Sequence, residues 1–290
     1  MIQWQDGDWE VCCDHDDGGR IGSIRWRGRE LLTQPHLVGG RFVAPTMDYG
    51  EYENRPVFGY DDCWPCIEAC EWPGMGAKAR DHGELVWLQW ESRLDDGALI
   101  ACANDKNGRW RFERRTLACD GALVFEYTCA NTGDAPFPMS WAGHVLIPPT
   151  SVTALSLPEF GRARQDFPPG AKDELRSPAD VWSYLQARSM GSATFLVIED
   201  VSGHDLSVRV GDLNWRWSVE GISKPAIGLW YNRRGYPGSD NLARDEFGIE
   251  WMTSPACALS DVPRATDAVV LEPGTELSWR MKWEIIRQCS

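Results

Sequence analysis

From Leu277 to Ile285 the chain alternates without a break. Leu277, Trp279, Met281, Trp283 and Ile285 fall on one side, and Ser278, Arg280, Lys282 and Glu284 fall on the other. Successive side chains of an extended chain point to opposite faces, so this pattern predicts a strand with one face in a core and one in water. A helix would scatter the same apolar residues around its circumference. Leu123, Phe125, Tyr127 and Cys129 repeat the pattern within residues 122–130, and Trp110 and Phe112 open another such stretch. Further strands are expected at 9–13, 20–27, 84–92, 98–103, 139–147, 194–200, 205–210, 226–231, 247–252 and 268–272. Between them stand turn signals such as Asp17-Gly18-Gly19, Asp95-Asp96-Gly97, Asp120-Gly121 and Asn131-Thr132-Gly133-Asp134.

Helical signal is thin. Ser177-Pro178-Ala179-Asp180 can start a short helix, with Ser177 as the N-cap and Pro178 in the first helical position. Residues 36–80 and 158–180 are long, irregular and rich in Pro and Gly, and long loops in a compact domain are often functional. No repeat, low-complexity run, linker or composition shift interrupts the chain. Many short strands with turn punctuation predict an all-β fold, a large antiparallel β-sandwich formed as one domain over residues 1–290.

Composition then excludes several functions. The chain has 290 residues, 29 Lys plus Arg against 43 Asp plus Glu, and a net charge of −14. That balance opposes binding to a phosphate backbone or an anionic membrane surface, both of which need clustered cations. No window approaches the roughly 18 apolar residues of a membrane helix. Met-Ile-Gln-Trp-Gln-Asp-Gly-Asp at the start lacks the basic and apolar regions of a signal peptide, so the cytoplasm is the expected compartment. There the ten cysteines are expected as thiols. Sixteen tryptophans are unusual. Most are expected to fill the core, with three or four left to stack on a ligand in a cleft.

Chemistry is concentrated in three short segments. His82 stands in Arg80-Asp81-His82-Gly83-Glu84-Leu85-Val86-Trp87, and His144 in Phe137-Pro138-Met139-Ser140-Trp141-Ala142-Gly143-His144. Glu250 lies in the apolar run Phe247-Gly248-Ile249-Glu250-Trp251-Met252. An imidazole can donate, accept or shuttle a proton near neutral pH. A carboxylate desolvated in an apolar strand has a raised pKa and suits general-base work. Each segment alone has a structural explanation. His15, His36 and His204 read as surface or structural residues.

Taken in order, the segments resemble the aldose 1-epimerase (galactose mutarotase-like) family. Gly19-Arg20-Ile21-Gly22-Ser23-Ile24 with Gly28-Arg29-Glu30-Leu31-Leu32 is similar to its opening hairpin. Asp81-His82-Gly83-Glu84-Leu85 is similar to the segment of its first active-site histidine. Cys129-Ala130-Asn131-Thr132-Gly133-Asp134 through His144 is similar to that of its second. Gly248-Ile249-Glu250-Trp251-Met252-Thr253-Ser254-Pro255 is similar to that of its glutamate, and Leu271-Glu272-Pro273-Gly274-Thr275 also fits. The resemblance implies a galactose mutarotase-like supersandwich that interconverts the α and β anomers of an aldose without cofactor or metal. It implies Glu250 as the base at O1, His144 as the acid at the ring oxygen O5, and His82 as a hydrogen-bond donor to the substrate. Trp141 and Trp230 are nominated as aromatics against the sugar, and Asp81 and Asp212 as carboxylates for its hydroxyls. Tyr231, Asp61 and Asp62 are further candidates for the cleft. The chain departs from the family after the second histidine, where Val145-Leu146-Ile147 replaces Pro and an aromatic residue.

Four other readings compete. Cys63-Trp64-Pro65-Cys66, with Cys70 beyond it, could be a redox pair or, with His82, part of a zinc set, although its loop context and irregular spacing fit neither pattern. Glycoside cleavage would need a second carboxylate, for which Glu84 is available beside Glu250. A binding module would keep the aromatic cleft and use the histidines as donors only. A phosphorylated sugar would need cations, for which Arg41, Arg55, Arg233 and Arg234 are available.

Overall fold

The computed structural model describes residues 1–35, 52, 57–171, 174–237, 244–260 and 268–287. His36, Arg41 and Arg55 lie outside the described residues.

The alternating segments form strands, and the strands form two large antiparallel sheets. The terminal strand Glu276–Arg287 pairs with Ala122–Asn131 on one side and Leu213–Glu220 on the other. These three strands are central to a sheet with eight strands among the described residues. Its apolar face carries Trp279, Met281 and Trp283, all buried, with Phe125, Tyr127, Trp215 and Trp217. The larger sheet has eleven strands among the described residues. Its middle runs through Tyr60–Cys63, Ala142–Ile147, Asp245–Met252, Ala226–Arg233 and Ser192–Glu199, in that order. Its inward face contributes Tyr60, Val145, Ile249, Trp251 and Leu229 to the same core.

Tryptophan fills the space between the sheets. All sixteen are buried except Trp182 and Trp230, which are partly exposed. A flat indole spans a layer that aliphatic side chains would fill only in pairs. The rings meet mostly edge to face, as Trp64 meets Trp72 and Trp110, with Trp217 and Trp283 stacked. An ion pair crosses this core. Arg114 Nη1 donates to Asp62 Oδ2 at 2.5 Å, while Trp141 Nε1 and Tyr60 OH donate to Asp62 Oδ1 at 2.9 and 3.2 Å. These bonds satisfy a carboxylate that would otherwise be prohibitive to bury.

Two strand expectations are corrected. Residues 84–92 do not form one strand, because Leu85–Trp87 is a turn of 3-10 helix and the strand begins at Glu91. Leu85, Val86 and Trp87 are buried on every side, and a continuous apolar run carries no period that separates strand from helix. Residues 139–147 are interrupted at Ser140 and Trp141, with Phe137–Met139 pairing with Val269–Leu271 outside the large sheets. The one helix expected from the sequence is present as Pro178–Gln186. Ser177 Oγ accepts from Asp180 N at 3.2 Å and donates to the Asp180 carboxylate at 2.8 Å. Among the described residues no cysteine is in a disulfide, and no helix is long and apolar enough to cross a membrane.

Candidate active site

The large sheet uses both of its faces. Its inner face packs against the second sheet, and the strand period places every alternate residue on the outer face. Asp61 lies across from His144, and Cys63 across from Ala142. On the far side of the His144 strand, Val145 pairs with Ile249 and Leu146 with Gly248, which brings Glu250 beside His144. Glu250 in turn lies across from Gly228. The outer face therefore gathers Asp61, Cys63, His144, Glu250 and Trp230 from four adjacent strands. Cys63, Ala142, Phe195, Val197, Ala226 and Met252 form a buried apolar cluster of their own, apart from the main core.

Here the surface closes into a cavity of about 160 Å³. His82, His144 and Glu250 line it, with Asp81, Glu68, Glu246 and Arg244 as its other charged groups. Its aromatic walls are Tyr52, Phe167, Phe195, Trp230 and Tyr236. Phe167, Trp230 and Tyr236 meet one another at centroid distances of 5.3 to 5.6 Å. Gly248 keeps this corner open, since a Cβ there would lie 3.0 Å from Trp230 Cβ and 3.2 Å from Glu250 Oε1.

His82 enters from a turn rather than a strand. Its φ is 59°, a conformation that costs a β-carbon-bearing residue of order 1–3 kcal/mol. The turn is fixed by neighbours on both sides. His82 N–H donates to Ile67 O at 2.7 Å, and Glu84 N–H donates to Trp64 O at 2.6 Å. Gly83, at φ 76°, packs so tightly that a Cβ would lie 2.1 Å from Trp64 O. The imidazole stacks on Tyr52 with centroids 3.6 Å apart and planes 8° apart. Tyr52 OH donates to Asp61 Oδ2 at 2.9 Å, and Arg20 Nη1 donates to the same oxygen at 2.7 Å. Arg20 Nε reaches Asp17 at 2.8 Å. A buried chain Asp17–Arg20–Asp61–Tyr52 thus props the His82 ring against the cavity.

The three candidate groups are close and electrically distinct. His144 Nε2 stands 3.7 Å from Glu250 Oε1, and the His82 and His144 rings are 5.3 Å apart. Burial drives the Glu250 pKa up to about 8, and the neighbouring His82 lowers it only in part. Burial likewise depresses His144 well below 6.5, and His82, Arg20 and Arg244 push it further down. Burial pulls His82 down too, but Asp81, whose Oδ2 is 3.2 Å from His82 Nδ1, outweighs it with help from Glu250 and Asp61, so its pKa ends raised. Near neutral pH the Glu250–His144 pair therefore holds one proton, on Glu250.

Of the residues nominated from sequence, Glu250, His144, His82, Asp81 and Trp230 line this cavity. Trp141 and Asp212 do not. Trp141 is fully buried between the sheets with its indole N–H on Asp62. Asp212 sits in an exposed turn of the other sheet, bonded to Arg29 at 2.7 Å. Tyr231 follows Trp230 and so faces the core, edge-on to Phe247 at 5.2 Å. Asp61 and Asp62 are also adjacent and point to opposite faces, one supporting Tyr52 and the other pairing with Arg114 in the core. Only Trp230 of the tryptophans lines the cavity, where three or four were expected, and Phe and Tyr supply the rest of its aromatic wall. Glu84 is paired with Arg80 at 2.9 Å and does not line it. Arg233 is paired with Asp245 at 2.8 Å, and neither it nor Arg234 lines the cavity. His15 bonds Ser92 at the surface, and His204 is exposed.

Arg20 and Tyr52 are site residues that sequence reasoning missed. Two consecutive aspartates within a buried strand were the available signal, since each requires a buried cation or donor on its own face. The Cys63–Cys66 motif is split. Cys63 is buried on the outer face of the large sheet behind the cavity lining, while Cys66 Sγ points to Arg80 O at 3.8 Å and Cys70 Sγ accepts from Leu259 N at 3.3 Å. Among the described residues two groups have metal-binding donors within 4.8 Å of one another: Cys63, His82 and His144, and Glu68, Asp166 and Cys257. In the second group Asp166 is already paired with Arg164.

No protein-family model matches this chain, and no curated protein matches it. Solved structures do. The chain is similar to the Slr1438 protein from Synechocystis at TM-score 0.72 and 14% identity, over 99% of this chain and 96% of that one. It is similar to a galactose mutarotase related enzyme from Lactobacillus acidophilus at TM-score 0.65 and 15% identity, over 100% and 98%. It is similar to an aldose epimerase homologue from C. elegans at TM-score 0.65 and 13% identity, over 99% and 98%. The architecture is that of the galactose mutarotase-like β-sandwich.

Proposed function

We propose that this chain is an aldose 1-epimerase, an isomerase that opens and re-closes the hemiacetal ring of a free sugar, acting as a single domain in the cytoplasm. The observation that carries the reading is the convergence of Glu250, His144 and His82 at one end of a cavity with an aromatic wall. Opening the ring requires a proton to leave the O1 hydroxyl while another reaches O5, so an acid and a base must act at opposite ends of one C–O bond. Glu250 and His144, as neighbours on adjacent strands, have that spacing. With the shared proton on His144, Glu250 takes the O1 proton and His144 gives its proton to O5. Rotation about C1–C2 exposes the other face of the carbonyl. Re-closure runs the roles backwards: protonated Glu250 returns a proton to the carbonyl oxygen, and neutral His144 takes the O5 hydroxyl proton. Near neutral pH, with the proton on Glu250, the pair is in the protonation state that ring closure requires. His82, kept protonated further into the neutral range by Asp81, donates to the sugar oxygen that gains charge. Trp230 offers an apolar face to the ring, and Asp81 and Glu246 accept from hydroxyls.

The cavity favours a neutral sugar over a phosphorylated one. Among its described lining residues Arg244 is the only Lys or Arg, and it stands 3.4 Å from Glu246, with three further carboxylates around it. The test is anomer exchange by NMR on a panel of aldoses. Exchange above the buffer rate, abolished in Glu250→Gln and reduced in His144→Ala, supports the reading. Binding without exchange on every sugar replaces it with a sugar-binding module of the same fold.

A further inference from the structure

We propose that Cys63, His82 and His144 form a binding site for a thiophilic divalent cation of the zinc type, where His82 and His144 line the cavity and Cys63 lies buried behind them, and that the metal and the sugar exclude each other. One donor atom from each residue lies within 4.8 Å of the other two. In a tetrahedral zinc site, neighbouring donors are separated by about 3.3–3.5 Å, given metal–sulfur and metal–nitrogen bonds of roughly 2.3 and 2.0 Å. Side-chain rotations of about 1 Å close the difference. A thiolate with two imidazoles is a common zinc donor set, and its fourth position stays open for a carboxylate or water.

The surroundings suit a cation. Asp81 Oδ2 is 3.2 Å from His82 Nδ1, the carboxylate–imidazole pairing that orients a metal-binding histidine and strengthens its other nitrogen as a donor. Glu250 Oε1 is 3.7 Å from His144 Nε2, within reach of the open position. His144 Nδ1 and Glu250 Oε2 are buried and have no hydrogen-bond partner among the described residues. The strand register explains the set: Cys63 and His144 share the outer face of paired strands, and the Gly83 turn swings His82 over them. The remaining cysteines of the motif, Cys66 and Cys70, are committed to Arg80 O and Leu259 N–H and take no part. On binding, the metal displaces the Cys63 thiol proton and any proton on His82, and both go to solvent. Since the metal occupies the lone pairs of both histidines, the exclusion of sugar rests on the epimerase reading, whereas the metal site itself does not.

Titration of the full chain with Co²⁺ tests the site directly. One equivalent is expected to give a thiolate-to-cobalt charge-transfer band in the near ultraviolet and the visible bands of four-coordinate cobalt. Cys63→Ser is expected to lose the former, while Cys66→Ser and Cys70→Ser keep both. Asp81→Asn, which leaves all three donors in place, is expected to weaken Co²⁺ binding about 10- to 100-fold. Absence of the thiolate band in the parent overturns the proposal. So does a band that survives Cys63→Ser in a chain whose circular dichroism matches the parent. Zn²⁺ is then added to the anomer-exchange assay, where inhibition relieved by rising sugar concentration is expected. A cobalt spectrum without exchange on any sugar supports the metal site and overturns the epimerase reading. Exchange without a cobalt spectrum does the reverse.

Discussion

Glu250 carries a cost that can be measured without any substrate. Its folded pKa of about 8 lies well above the ordinary 4.5. Between those values the folded state holds a proton that the unfolded state has lost. Folded stability therefore falls as pH rises from 4.5 through about 8, and it levels off beyond. At about 1.4 kcal/mol per pH unit the full difference is about 5 kcal/mol, a large part of the 5–15 kcal/mol that holds an ordinary domain together. His82 adds to the same slope. Its folded pKa is raised above 6.5, so the stability it contributes is present below 6.5 and lost as pH climbs through the folded value. His144 acts on the opposite side: its depressed pKa removes stability only as pH falls below 6.5.

Glu250→Gln isolates this effect, because the amide has the shape of the protonated acid and cannot ionise. At pH 5 parent and variant are expected to unfold at nearly the same urea concentration. At pH 9 the variant is expected to be more stable by up to about 5 kcal/mol, a midpoint shift of about 2 M for a slope of about 2–3 kcal/mol per molar urea. The variant would then be the more stable and the less active protein at alkaline pH. A stability difference that is the same at pH 5 and pH 9, or that favours the parent at pH 9, would refute the assignment of Glu250 as a buried, normally protonated acid.

Three other outcomes are expected. The rate of anomer exchange should fall as pH rises through about 8, where the Glu250–His144 pair loses the one proton that ring opening and closure share, and a pH–rate profile that is flat from 6 to 9 contradicts the role of the pair. Gly83→Ala places a Cβ 2.1 Å from Trp64 O at a left-handed backbone position, so it should cost about 1–3 kcal/mol in thermal unfolding and lower exchange by displacing His82. Asp62→Ala strands the Arg114 guanidinium in the core and should cost about 3–5 kcal/mol by chemical denaturation, while Asp212→Ala, at an exposed turn, should change stability by less than about 1 kcal/mol.

What the sequence displayed was local. The period of 277–285 predicted a strand, and Glu276–Arg287 is one. Ser177 and Pro178 predicted a helix start, and the helix begins there. Glu250, His82 and His144 stand out as titratable residues in apolar or turn-forming segments and were nominated on the ordered resemblance of those segments to the family, and all three line one cavity. The failures share a cause. Trp141 and Trp230 both look like cleft aromatics, but whether an indole faces ligand or core depends on which face its strand presents and on what lies across from it. Asp62, 79 residues away, decides the matter for Trp141. The support of His82 by Arg20, Asp61 and Tyr52 was equally hidden, because Arg20 and Asp61 are 41 residues apart and meet only when their strands pair. No local period encodes such a pairing.

This arrangement ties the chemistry to the core more closely than a loop-built site would. On the His144 and Glu250 strands each candidate residue is flanked by core residues: Val145 follows His144, and Ile249 and Trp251 bracket Glu250. The backbone cannot move one without moving the other, so the packed tryptophan layer sets the 3.7 Å between His144 and Glu250. The same packing excludes water from one side of both groups, and that desolvation raises the carboxylate and depresses the imidazole. The pair is left holding one proton, and a reversible ring opening requires such a pair, since each group must serve as acid in one direction and as base in the other. The destabilising burial of Glu250 and the proton exchange it makes possible are therefore two consequences of a single fact: a sheet whose inner face is fully packed holds an ionisable pair on its outer face.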